Sequence, residues 1–226
     1  MSEKEDAARI ARLIQSPGDE ADRALAGLLE GAGREAIVAR LLRWQDPAVR
    51  FWAIEAAERV YSRNEYLKVL DRAARDRDDA VSTDAIDRLL NTAPERAHRL
   101  SRKISAKLSS PDFWFGEKVF FIWSLARLRA HDAVPAIEAL RASEPEWTKL
   151  ARVADVALAY LKEGERPSLE AITTHTDHAH IEELCTLAWF VIKNAAARAA
   201  LEMGAVNSPD DDCCRECRFA LEKLKP

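Results

Sequence analysis

Apolar and polar residues alternate along this chain with a helical period, and the helical segments themselves recur. The stretch Asp46-Pro-Ala-Val-Arg-Phe-Trp-Ala53 opens a run in which Val49, Ala53, Ala56, Ala57 and Val60 share one face. Thirty-two residues on, Asp78, Val81 and Ala85 repeat the places of Asp46, Val49 and Ala53. Further echoes begin at Ser110, at Glu144 (with Trp147, Ala151 and Ala154) and at Asp177 (with Ile181, Cys185 and Ala188). An atypical last one begins at Asp210 with Cys213 and Cys217. A period in the low thirties is what two helices and two short turns require. Pro47, Pro111 and Pro145 suit the first turn of such helices, where a missing N–H costs nothing.

Between these first helices lie second ones with their own stripes. They are predicted near 34–43 (Ile37, Val38, Leu41, Leu42), 64–77 (Leu67, Leu70, Ala74) and 95–107 (Ala97, Leu100, Ile104). Later ones are predicted near 133–142, 167–174 and 195–203, and an additional helix near 3–15 precedes the array. Ala53 and Ala85, small in both copies, mark where neighbouring helices should approach most closely. The strongest segments carry no alternating strand pattern, and no low-complexity linker interrupts the chain.

Asp46-x-x-Val49-Arg50-x-x-Ala53 resembles the HEAT-repeat family, whose repeats often carry Asp-x-x-Val-Arg-x-x-Ala. Ser82 stands where the second copy would carry Arg. The resemblance implies an all-α fold, a right-handed α-solenoid of about six to seven HEAT-like helix pairs. It would form a single domain over 1–226, with residues 1–17 as an N-terminal cap and 210–226 as a C-terminal one. HEAT arrays generally act as binding scaffolds, so the resemblance implies a non-enzymatic scaffold, adaptor, inhibitor or immunity-type protein. A weaker similarity is to the HEAT-like DNA alkylation-repair glycosylases, carried by Ser110-Pro-Asp-Phe-Trp114, Leu187-Ala-Trp189 and Asp84. It implies nucleic-acid binding as the alternative function. Glycosylase activity is not expected, because Asp84 has no neighbouring tryptophan and Glu117 stands where a basic residue would be wanted.

Charge sharpens the picture. Over 34–43, 64–77 and 95–107 the second helices carry twelve Lys and Arg against five Asp and Glu. The first helices, over 18–30, 47–62 and 79–92, carry four against nine. In HEAT-like solenoids the second helices line the concave side. Arg40, Arg43, Lys68, Arg72, Arg75, Arg99, Arg102, Lys103 and Lys107 are therefore the expected binding strip. Its expected partner is a protein with an acidic surface or segment, with nucleic acid as the other possibility. The net charge of −4 excludes a globally basic nucleic-acid coat. Phe113-Trp114-Phe115 cannot all face one core, since successive helical positions turn by about 100°. Either the helix is covered on both sides or one ring, Trp114, is an exposed anchor.

Candidate chemistry changes little. Phosphate-loop, dinucleotide, nucleophile-elbow and His-Glu-x-x-His motifs are absent, and no enzyme or cofactor is expected. His175, Asp177, His178 and His180, followed by Glu182 and Glu183, offer zinc-type donors. At a turn and helix start, however, they read better as an N-cap and polar surface. Cys213, Cys214 and Cys217 include a C-x-x-C spacing but lack a second ligand pair. The i,i+4 relation of Cys213 and Cys217 reads as burial of small residues. The N-terminus is acidic and lacks a signal-peptide core, and no run approaches the roughly 18 apolar residues of a membrane span. With four cysteines and no disulfide framework, the expected location is cytoplasmic.

Overall fold

The computed structural model describes residues 3–15, 33–174, 180–208 and 211–224. The helix expected over 18–30, and His175, Asp177 and His178, lie outside these residues. Among the described residues every regular element is helical and there is no strand. The chain divides into two compact units, the first running to Arg96 and the second starting at Ala97.

The first unit contains α1 (Glu3–Gln15), α2 (Arg34–Leu41), α3 (Pro47–Val60), α4 (Arg63–Ala73) and α5 (Asp79–Thr92). Local chemistry fixes where the helices begin. Asp46 accepts the Ala48 N–H at 2.9 Å and Pro47 occupies the first turn of α3. Ser62 and Glu65 form a reciprocal capping box on α4, and Asp78 accepts the Val81 N–H at 3.1 Å on α5. Each helix packs on the next in sequence, and α3 also packs on α1 and α5. Ile10, Ala11, Ile37, Leu41, Val49 and Ala53 form one continuous buried cluster, with Trp44 and Trp52 laid against it. Ala53 and Ala85 are fully buried, as a closely approached helix surface requires.

The second unit begins at the last residue of a one-turn helix, α6 (Pro94–Ala97). It continues through a 3₁₀ turn (His98–Leu100), α7 (Ser101–Leu108), α8 (Phe115–Arg127), a 3₁₀ turn (His131–Ala133) and α9 (Val134–Ser143). Next come α10 (Lys149–Glu163), α11 (Glu165–Thr174), α12 (Ile181–Thr186), α13 (Ala195–Asn207) and α14 (Asp211–Lys223). Here contacts again run between sequence neighbours and next-but-one helices, α8 with α10, α10 with α12, α11 with α13 and α12 with α14, but α8 also packs on the stretch Leu187–Ile192, which follows α12. Residues Leu187–Ile192 form a π-helical stretch ending at Lys193 in the left-handed region, so Leu187-Ala-Trp189 is not regular α-helix.

Three expectations need correction. The second helix expected as one piece over 95–107 is broken into α6, the 3₁₀ turn and α7. Leu100, at φ −96° and ψ −2°, sits at the edge of the right-handed helical region before α7 starts. Pro111 and Pro145 sit in turns several residues before α8 and α10 rather than in their first turns. Finally, Phe113 precedes its helix; Glu117 caps the start of α8 by accepting the Trp114 N–H at 3.1 Å.

Candidate functional site

The candidate site grows out of the junction between α3, α4 and α5. Arg50, four residues past the Asp46 cap, has a side chain only 7% exposed. Its Nε and Nη2 donate to the two carboxylate oxygens of Asp76 at 2.9 and 2.8 Å. Nη1 donates to the carbonyls of Trp44 and Gln45, each at 2.8 Å. Asp76 also accepts the Asp78 N–H at 2.9 Å, so the carboxylate is held from both sides. Burial alone would raise the Asp76 pKa. The hydrogen bonds from Arg50 and Asp78, with the charges of Arg50 and Arg77, outweigh it and keep the carboxyl below its ordinary value. Arg50 in turn is held above its usual value, first by the Asp76 hydrogen bond and against burial.

This neutralised pair belongs to a pocket of about 260 Å³. Leu42, Ile54, Val69 and Val81 supply apolar wall, while Lys68, Arg72 and Arg75 bring the charge. On α4 and its C-terminal extension these three residues fall at i, i+4 and i+7, the same helical face. Lys68 and Arg72 are exposed and make no ion pair with any described residue. Arg75 donates to the Asp71 carbonyl and thereby closes the end of α4. Because Asp76 is already matched by Arg50, the lining carries three uncompensated positive charges. An anion with some apolar body is the ligand this lining suits.

The other residues of the expected strip divide. Arg40 and Arg43 are exposed in the first unit but do not line the pocket; the Arg43 charge acts on Tyr61, partly opposing the rise that burial, Glu35 and Glu65 impose on that phenol. Arg99 and Arg102 are exposed and Lys103 half-buried in the second unit. Lys107 must be removed from the strip. It follows Ile104 by three positions and so lies on the apolar face of α7, where it is only 7% exposed. Its ammonium stands 4.4 Å over the Phe113 ring and 5.5 Å from Phe121. Phe113 is buried edge-to-face against Phe121. Trp114 and Phe115 are exposed, at 69% and 45%, and Gly116 has no Cβ to push the indole away.

Among the described residues no group of three or more His, Cys, Asp or Glu is placed to hold a metal. His180 is half-buried, with Nε2 3.8 Å from Asp155 Oδ2. All four cysteines are free and buried, with Cys185 Sγ 3.8 Å from Cys217 Sγ. Donation to Cys217, together with burial, pushes the Cys185 thiol far up, which suits core packing and not nucleophilic chemistry.

Asp76 and Arg50 were not singled out for binding in the sequence. Their signal was present nonetheless: an Arg four residues after one N-cap and an Asp two residues before the next. The same device recurs in the second unit. Arg152, four residues past the Thr148 cap, donates to the Trp147 carbonyl at 3.2 Å and to buried Glu183 at 3.1 Å. No protein-family model, curated protein or solved structure matches this chain.

Proposed function

We propose that the chain is a non-enzymatic binding module of the HEAT-repeat type, each unit a stretch of right-handed α-solenoid, that takes up an acidic segment of a protein partner in the pocket of the first unit. The solenoid reading is supported by packing between sequence neighbours and by the repeated cap-plus-four arginine. A single observation carries the binding reading: Lys68, Arg72 and Arg75 face one pocket whose only carboxylate, Asp76, is already engaged by Arg50. The lining contains no His, Cys, Ser or Glu, and its one carboxylate is engaged by Arg50. Its apolar wall favours a side-chain carboxylate with a hydrophobic neighbour over a bare phosphate chain.

The test is a titration of a short fluorescein-labelled acidic peptide, followed by anisotropy at about 50 and about 200 mM salt. The Lys68→Glu/Arg72→Glu variant should bind at least about tenfold more weakly with unchanged helical content, since neither side chain is buried. Equal binding by the variant would refute the reading.

A second reading, nucleic-acid binding, is favoured by one observation in the second unit. The unit that carries exposed Arg99 and Arg102 also exposes Trp114 and Phe115, and a surface with both cations and aromatic faces suits unstacked bases. Single-stranded RNA and duplex DNA titrated in parallel decide it. Tight binding with a steep salt slope, lost in Trp114→Ala, would put this reading first.

A further inference from the structure

Every backbone N–H around the basic pocket of the first unit is already spent. Ile54, Lys68, Val69, Arg72 and Ala73 lie inside α3 and α4, where helical bonds take theirs. The N–H groups of Leu42, Arg50, Arg75 and Asp76 reach the carbonyls of Val38, Asp46, Arg72 and Ala73, and that of Val81 reaches the Asp78 carboxylate. Asp76, the one acidic side chain of the lining, takes three N–H donors, two from Arg50 and one from Asp78. What remains is a set of side-chain donors on Lys68, Arg72 and Arg75, beside the apolar surface of Leu42, Ile54, Val69 and Val81. The carboxylates of α4 itself are engaged elsewhere. Glu65 accepts the Ser62 N–H and hydroxyl, and Asp71 accepts Arg96 Nη1 at 2.8 Å while only its carbonyl meets Arg75.

We infer, resting on the acidic-segment reading of this pocket, that what enters it is the partner's C-terminal residue, with an apolar side chain against the apolar wall and its α-carboxylate accepting from Lys68 and Arg72. The lining can satisfy acceptors but not donors, and a chain end supplies that combination. Two carboxylate oxygens stand where an internal residue would continue into the next amide N–H. An internal stretch laid into the pocket would bring further N–H groups, and with Asp76 occupied these would lose water without gaining an acceptor. An internal Asp or Glu carries its carboxylate on a short stem that covers little of the apolar wall, whereas a terminal Leu, Val or Phe brings charge and apolar body on one residue. Size agrees. At about 260 Å³ the pocket is smaller than the roughly 300–1,000 Å³ of sites for drug-sized ligands, which suits about one residue and not a length of chain. Side-chain carboxylates just before the terminus stay in solvent, where exposed Lys68 and Arg72 attract them at longer range.

Three peptides labelled with fluorescein at the N-terminus test this by anisotropy. One is an acidic peptide ending in Glu-Leu with a free carboxylate, the second is its C-terminal amide, and the third is the amide with an extra internal aspartate that restores the net charge. The free acid should bind wild-type protein at least about tenfold more tightly than either amide. Val69→Arg fills the pocket while adding a positive charge. It should abolish binding of the free acid with the circular dichroism spectrum unchanged, since Val69 is only half-buried. Equal binding of the free acid and the charge-matched amide, both lost in Lys68→Glu/Arg72→Glu, would overturn the terminal-residue assignment and leave the acidic-segment reading standing. Binding of none of the three, or binding that Lys68→Glu/Arg72→Glu leaves unchanged, would remove both. Tighter binding to Val69→Arg would also overturn the inference, because surface charge and not occupancy of the pocket would then set the affinity.

Discussion

Replacing Arg50 with Met should be among the most destabilising single changes in the first unit, and the structure allows its size to be worked out. The guanidinium makes two charge-assisted bonds to Asp76 and two to backbone carbonyls, all between 2.8 and 2.9 Å. Methionine fills much of the volume but leaves the Asp76 carboxylate and the Trp44 and Gln45 carbonyls without their donor. Breaking a buried pair from one side costs about 3–5 kcal/mol. Asp76 keeps the Asp78 N–H and its side chain is 15% exposed, so water offsets part of the loss and about 3 kcal/mol is expected. In a chain of this length that lowers Tm by roughly 6–12 °C. Urea unfolding followed by circular dichroism gives the free energy. Hydrogen exchange should place the loss of protection in α3, α4 and the turn between α4 and α5. The pH dependence has a definite sign. The folded-state pKa of Asp76 is depressed, so its contribution is full above the unfolded pKa of about 4 and is lost as pH falls through the folded value. The gap between wild type and Arg50→Met should therefore narrow in acid. In Arg50→Met/Asp76→Leu part of the loss should return, because no unpaired charge remains. A single-variant cost below about 0.5 kcal/mol, or strictly additive losses in the double variant, would refute the account.

Other perturbations probe the packing. Ala53→Leu should overpack the fully buried contact beside α3 and cost about 1–3 kcal/mol; an unchanged melting temperature would place Ala53 elsewhere. Gly204→Ala should destabilise even though alanine is the better helix former by about 1 kcal/mol, because the new Cβ would meet Cys217 Sγ at 2.6 Å. Adding Cys217→Ala should then raise the melting temperature above that of Gly204→Ala alone, and a Gly204→Ala protein more stable than wild type would contradict the contact. All four cysteines should resist iodoacetamide in native buffer and react in urea, a pattern read by mass spectrometry; rapid native labelling of Cys185 or Cys217 would contradict their burial.

What the sequence made legible was whatever depends on period and cap. The Asp46 and Asp78 starts, the buried Ala53 and Ala85, the helix over 3–15 and the cysteines at core positions all follow from 3.6-residue spacing and N-cap chemistry. Lys107 failed because a positive charge was read as solvent-facing, whereas its stem lies on the Ile104 side and its ammonium finds aromatic faces. The break at Leu100 carried no Gly or Pro to announce it, and the π-helical stretch at Leu187–Ile192 has no sequence signal at this level. The exposure of Ala199 and Met203 on α13 was hidden by composition: Ala and Met read as core on whichever face they fall, and only the placement of α11 and α14 decides which face is covered.

The two arginine networks explain why Ser82 can replace an arginine without breaking the pattern of packing. Arg50 and Arg152 each stand four residues past an N-cap, reach back to a carbonyl before their own helix, and reach forward to an acidic residue, 26 positions on for Arg50 and 31 for Arg152. Ser82 occupies the same position on α5 but is fully buried, its hydroxyl donating to the Asp79 carbonyl at 3.2 Å. A short side chain that satisfies itself within its own helix needs no acidic residue from further along the chain, whereas a buried guanidinium without one would be costly. The arginine is therefore a local device for fixing the turn that enters the next helix. In the first unit that turn carries Arg75 and Asp76, and it is the turn against which Lys68 and Arg72 are presented. The residue that fixes this turn is thus also the one that neutralises the carboxylate of the pocket lining and leaves its positive charge unmatched.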